Sequence, residues 1–260
     1  MLIDLHVHSH HTRGCTLTPR DAIRRAKEAG LDGIAFTDLN VLDGLEEIRA
    51  AGREEGFLAL CGVELATDRG HYLCYFPDPA RVPAPPQVFG SATPWQAREV
   101  LARVRELGGV AVAAHPYDKT VERPSGDFIF TLDGLSAIEG LNTRRKGPAN
   151  DLAVEAADHM NLPCVGASGA HALEDIGKAA TLFRDPVTSE AELVAQLRAG
   201  TVFCVAIGVT PSGDSGRGDR GPVGPGGRRD HGHGGHGGGG HGRGRGGGRG
   251  GRDRDRDRGR

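Results

Sequence analysis

Through residues 1–205, short apolar runs alternate with segments whose apolar residues recur at helical spacing. Seven runs read as strands: 2–8, 33–37, 58–66, 71–76, 110–114, 137–141 and 163–167. Helix starts are marked between them. Thr18-Pro19-Arg20-Asp21 offers an N-cap, a proline at the first position and a carboxylate in the first turn, and Gly30 ends that helix. Thr93-Pro94-Trp95-Gln96 repeats the pattern before a helix ending near Gly108-Gly109. Ser189-Glu190-Ala191-Glu192 is a capping box, closed by Gly200. The stretches 77–86 and 118–127 read as surface loops. Strands alternating with helices predict a parallel α/β architecture, and about seven such units favour a closed or nearly closed barrel over an open sheet.

Composition changes the picture only at the C-terminus. Of 42 glycines in 260 residues, more than half lie beyond Ala206, where there is no aromatic residue. That stretch holds 12 Arg against 6 Asp, a net +6, which leaves −8 on residues 1–205 of a chain whose formal charge is −2. The body is large enough to bury a substantial core. Residues 206–260 bury too little apolar surface to offset their ordering entropy and read as a disordered, low-complexity, Gly/Arg-rich tail. Weak RNA contact through its Arg/Gly repeats is the alternative there, with no aromatic ring to stack on a base. The acidic body weighs against a long duplex bound through many phosphates.

No apolar run approaches the roughly 18–20 residues of a membrane span. The opening MLIDLHVHSH places an acid and three histidines where a leader needs a basic and then an apolar stretch. Five widely spaced cysteines form no CxxC pair. Free thiols in a reducing, cytoplasmic setting are expected.

The chemistry begins at Asp4-Leu5-His6-Val7-His8. On a strand, Leu5 and Val7 would face one way and Asp4, His6 and His8 the other. Two imidazoles two residues apart at a strand end can bite one cation, or can be two hydrogen-bonded polar side chains. Recurrence favours the cation. Glu64, His71, His115 and His171 also fall at or next to expected strand ends, which meet on one face of a parallel barrel. Six residues of ligand type on one rim point to a multinuclear metal site.

Four motifs in order, DLHVHS, AFTDLN, AAHPYDK and GASGAHALEDIG, with GVELATDRGHYLCYF and IEGLNTRR between them, resemble the PHP (polymerase and histidinol phosphatase) superfamily across residues 1–205. The resemblance implies a distorted (β/α)7 TIM-like barrel, divalent cations (Mn, Fe or Zn) and phosphoester hydrolysis. Residues 177–205 resemble the PHP-associated C-terminal segment that covers one side of such a barrel. By the family pattern, the first cation is held by His6, His8 and Glu64, with the usual aspartate replaced by Gly169. The second takes Glu64, His71 and His115. The third would use positions occupied here by Arg13, Leu39 and His171, so two of its three ligands are gone. Two cations are therefore expected. Restoring Gly169→Asp is expected to strengthen the first site.

Arg13, Arg144 and Arg145 are candidate phosphate-gripping residues, with solvated basic side chains as the other reading. Asp38 either orients a ligand imidazole or caps the following helix. His10 and His11 are surface residues of the first loop or stand-ins for a lost third-site ligand. The expected activity is a metal-dependent phosphoesterase, Glu64 bridging two ions whose shared hydroxide attacks a small phosphorylated metabolite, nucleotide or short oligonucleotide. The alternative is a degenerate barrel that binds metal or phosphate without turnover as a regulatory or interaction module.

Overall fold

A computed structural model of the chain describes residues 1–208 except Ala92 and Lys146. The stretch 206–260, expected above to be a tail, lies outside the described residues from 209 onward. Strands β1 (Leu2–Val7), β2 (Gly33–Phe36), β3 (Leu58–Thr67), β4 (Gly70–Tyr75), β5 (Val110–Ala114), β6 (Leu135–Asn142), β7 (Cys164–Ala167), β8 (Ala179–Phe183) and β9 (Val202–Ala206) form one sheet. Its order is β7-β6-β5-β4-β3-β2-β1-β8-β9. The segment after β7 returns to β1, where His8 N donates to Ala170 O at 2.9 Å and Ala170 N to His6 O at 3.2 Å. That contact bridges Val7 and Ala170, so the sheet is a nearly closed barrel.

The parallel expectation holds for β1–β3 and β5–β7 and fails at β4, which runs antiparallel to both neighbours. Only Asp68 and Arg69 separate β3 from β4. A loop that short closes a hairpin and cannot make a parallel crossover. Two further strands, β8 and β9, come from 179–206 and pair antiparallel, β8 against β1. Each is five residues long, a length at which an apolar run does not announce its type.

Helices α1 (Pro19–Glu28), α2 (Leu45–Glu55), α4 (Ala97–Glu106), α5 (Ala149–His159) and α6 (Glu190–Ala199) cover the sheet, with a short α3 (Pro85–Phe89) in the proline-rich loop. The Thr18 and Ser189 caps form as expected, each hydroxyl accepting the N–H three residues on. α4 starts at Ala97, later than the Thr93 signal, because Asp68 Oδ1 accepts Ala97 N–H at 2.9 Å and caps the helix from another segment. α2 opens at Gly44 with no capping side chain, hence no start signal in the sequence. Among the described residues no helix is long and apolar enough to cross a membrane.

Three apolar clusters hold the body. One lies under α1 and α2 and includes Val7, Ile23, Ile34, Phe36 and Ile48. A second joins α4 and α5 to the other flank through Val100, Leu101, Ile138 and Ala153. The third gathers Leu5, Leu60, Leu73, Tyr75, Val112 and Val165 with Leu193 and Leu197 of α6. Leu5 and Val7 thus belong to different clusters, against the simple alternation expected. The pairing of β1 with β2 slips between Asp4 and Val7, and such an irregularity re-aims the side chains around it.

Candidate metal centre

Glu64 on β3 stands at the centre. Its two oxygens are divided between two pairs of imidazoles. Oε2 lies 3.2 Å from His8 Nε2 and 3.6 Å from His6 Nε2. Oε1 lies 2.9 Å from His71 Nδ1 and 3.2 Å from His115 Nε2. One ligand atom each from His6, Glu64 and His115 falls within a 4.8 Å group, and all three residues are buried. Five of the six residues expected to bind metal therefore converge, brought together from β1, β3, β4 and the ends of β1 and β5.

Local structure explains the convergence. The hairpin places His71 opposite Ala66 on one side and Ala114 on the other, so it reaches the same rim as Glu64 and His115. His115 leaves β5 with φ +30°, a conformation uncommon for a residue with a Cβ. Its N–H donates to Glu139 Oε2 at 2.7 Å, which holds that turn in place. Glu139 also accepts the Nδ1–H of His6 on Oε1 at 2.9 Å and an Nδ2–H of Asn142 at 3.1 Å. A carboxylate can only accept, so Nδ1 carries the proton and Nε2 faces the centre.

His8 is oriented the same way through one intermediate. Its Nδ1–H donates to Thr12 Oγ1 at 3.0 Å, and Thr12 donates in turn to Asp38 Oδ1 at 2.7 Å. Asp38 also accepts Ser9 N–H at 2.6 Å and the Ser9 hydroxyl at 2.7 Å. Of the two readings of Asp38, the imidazole-orienting one describes its contacts. Glu139 was not singled out from sequence. Its signal was a carboxylate inside the apolar run Ala137-Ile138-Glu139-Gly140-Leu141, since a fully buried carboxylate needs partners.

Burial would push Glu64 up, but charge on His6 and hydrogen bonds from His115, His6 and His71 hold it well below the ordinary range. Glu139 is likewise lowered against its burial, chiefly by His6. Burial pulls His6 down, yet Glu139 and Glu64 together raise it to about 10. His8 is lowered, first by burial. Beyond the proton on each Nδ1, the shifts favour one further proton on His6 and none on His8, the two Nε2 atoms lying 3.2 Å apart. The donor set of imidazoles around a shared carboxylate, each Nδ1 of His6 and His8 tied back, fits two borderline divalent cations.

The remaining expected residues are placed less centrally. His171 stacks on His8 at 4.0 Å between ring centroids and is pushed down to about 3 by burial, His8 and Arg144. It flanks the cage as a neutral wall. Arg13 is exposed and has no side-chain partner among the described residues. Arg144 donates to Gly169 O at 3.2 Å and lies 3.6 Å from Asp175. Arg145 pairs with Asp118 at 2.7 Å, so its charge is already matched. His10 and His11 turn away from the cage toward Glu47.

Gly169 corrects one expectation. It has φ +64°, and a Cβ there would sit 2.6 Å from Asn142 Nδ2. Asn142 fills the space into which an aspartate would project, so the Gly169→Asp change meets a packed neighbour rather than an open ligand position. His71 is half-buried and lines a groove of about 280 Å³ together with Asn40, Thr67, Pro94 and Arg123.

Residues 4–128 match the family model described as the PHP domain, and residues 147–202 match that described as PHP-associated. An uncharacterised protein of Methanocaldococcus jannaschii is 28% identical over 165 residues, 59% of this chain and 90% of its own length. A candidate metal-dependent phosphoesterase from Bifidobacterium adolescentis is 20% identical with a TM-score of 0.54, over 76% of this chain and 96% of that one. An amidohydrolase of Chromobacterium violaceum, solved with bound sulfate and no metal, is 21% identical with a TM-score of 0.56. The match to it covers 78% of this chain and 97% of that one. At such identities the two structures speak for the shared fold.

Proposed function

This chain belongs to the PHP domain family, and on that premise we propose that it is a metal-dependent phosphoesterase acting on a small phosphorylated metabolite, nucleotide or short oligonucleotide. The observation that carries the reading is the division of Glu64, one oxygen facing His6 and His8 and the other facing His71 and His115. A carboxylate divided in this way would be placed to hold two cations side by side, as two-metal hydrolysis uses. His6, His8 and Glu64 would hold one ion, and Glu64, His71 and His115 the other, drawn from Mn, Fe or Zn. When bound, such ions supply Lewis acidity and activate water near neutral pH.

The chain's own residues then have separable tasks. Glu139 and Asp38, the latter through Thr12, keep the Nε2 atoms of His6 and His8 aimed inward. His171 stacks on His8 and flanks that side of the cage. The groove beside His71 has room for the ester's leaving group. Arg144, beside Gly169 and Asp175, and the exposed Arg13 are the candidate basic side chains for a phosphoryl oxygen. Residues 1–205 form the catalytic unit in this reading, with 177–205 closing one side of the barrel.

The test is hydrolysis of an aryl phosphate with added Mn²⁺, comparing the protein with a His6→Ala, His8→Ala double variant. Loss of turnover in the variant is expected, and equal rates would refute the proposal. Elemental analysis separates it from a non-catalytic binding module: about two ions per chain are expected, and one or none favours the module.

A further inference from the structure

We propose that His10, His11 and Glu47 form a separate transition-metal site on the outer rim of the barrel, of the kind that takes Zn²⁺, Co²⁺ or Ni²⁺. It uses none of the residues around Glu64 and none of the positions 13, 39 and 171, and it does not depend on the phosphoesterase reading. His10 and His11 sit in the loop after β1, and Glu47 in the first turn of α2. His10 Nε2 lies 3.1 Å and His11 Nε2 2.8 Å from the same carboxylate oxygen, Glu47 Oε2. The three ligand atoms lie within 4.8 Å of one another.

The loop is built to hold both rings there. His10 N–H donates to Leu17 O at 2.9 Å, and His11 N–H to Ser9 Oγ at 3.3 Å. Ser9 is in turn fixed by Asp38. On the helix side, a Cβ at Gly44 would come 2.6 Å from His11 Cδ2, so the glycine leaves the space that the His11 ring occupies. The ring centroids of His10 and His11 are 4.6 Å apart.

Geometry and ligand chemistry select the ion. Bonds of about 2.0–2.1 Å place the donors of a tetrahedral zinc about 3.3 Å apart. The observed 2.8 and 3.1 Å need only a few tenths of an ångström of opening around an inserted ion. Two imidazoles with one carboxylate suit borderline cations, whereas Mg²⁺ and Ca²⁺ prefer all-oxygen shells. All three side chains are partly exposed, at 37%, 23% and 46%, so water completes the shell and the ion exchanges freely.

Residue-resolved carbethoxylation of the full chain by diethyl pyrocarbonate, mapped by peptide mass spectrometry, tests the site. Micromolar Zn²⁺ is expected to slow modification of His10 and His11 at least tenfold, and millimolar Mg²⁺ to leave them unprotected. Glu47→Ala, and separately Glu47→Gln, should raise the Zn²⁺ concentration for half-protection of His10 and His11 about tenfold, with His6 and His8 protected as in the parent. His10 and His11 modified equally with and without Zn²⁺ would overturn the proposal. So would unchanged half-protection in both Glu47 variants.

Discussion

Glu139 grips His6 from behind, its Oε1 accepting the Nδ1–H of the imidazole at 2.9 Å while its Oε2 accepts the backbone N–H of His115 at 2.7 Å. One fully buried carboxylate therefore sets the ring of His6, proposed to hold one cation, and the backbone of His115, proposed to hold the other. Glu139→Gln keeps the shape but can satisfy only one of those donors with its carbonyl oxygen. We expect Mn²⁺ affinity to fall about 10–100-fold, the usual cost of losing such a partner. Equilibrium dialysis measures it; unchanged affinity would remove Glu139 from the site.

In the metal-free protein His6 carries a proton, and that proton sits where the donors converge. A cation must displace it. Because the folded pKa of about 10 lies above the ordinary 6.5, the charged His6 adds stability below pH 6.5 and loses it as pH rises through about 10. Metal affinity runs the other way, strengthening about tenfold per pH unit between roughly pH 7 and 9. Mn²⁺ titration calorimetry in two buffers of different ionisation enthalpy should report about one proton released per chain. Heat independent of the buffer would contradict the protonation of His6.

What the sequence made legible, and what it hid, divides along the range of the interactions. That His6, His8, Glu64, His71 and His115 would meet on one rim could be read because residues of ligand type at strand ends are a local feature, repeated until chance becomes a poor explanation. The Thr18 and Ser189 caps were readable for the same reason. The antiparallel β4 was implied by a two-residue connection but masked by the surrounding β/α rhythm. Glu139 and the α4 start depend on partners 24 to 133 residues away, Asp68 and Ala97 being 29 apart, and no local pattern records such pairings. The fate of Gly169 was hidden in the same way, since only the fold puts Asn142 against it.

Gly169→Asp is therefore expected to destabilise. Asn142 cannot simply swing aside, because it donates to Glu139 at 3.1 Å, accepts Arg144 N–H at 3.1 Å and has its own N–H bound by Asn150 at 3.2 Å. Forcing a Cβ into that contact should cost about 1–3 kcal/mol, as overpacking does. Adding Asn142→Ala should recover at least half of the loss. Denaturant unfolding of the single and double variants decides it; parental stability in Gly169→Asp alone would show that the pocket is more yielding than its contacts indicate.

Asp4 presents the opposite electrostatic case from His6. It is fully buried; Oδ1 accepts from Ser168 N at 3.0 Å and His6 N at 3.3 Å, while Oδ2 has no partner among the described residues. Burial is the largest influence and, against the Ser168 and His6 hydrogen bonds, raises the pKa from 3.8 to about 6. A carboxyl raised in the folded state contributes stability below pH 3.8 and loses it as pH climbs through about 6. Asp4→Asn removes the ionisation and keeps an oxygen for Ser168 and His6. In chelator-treated protein the variant should match the parent near pH 4 and exceed it at pH 8, by at most about 3 kcal/mol at 1.36 kcal/mol per pH unit. Thermal unfolding at the two pH values measures the difference, and a gap that does not widen with pH would mean that folding does not raise the Asp4 carboxyl above its ordinary value.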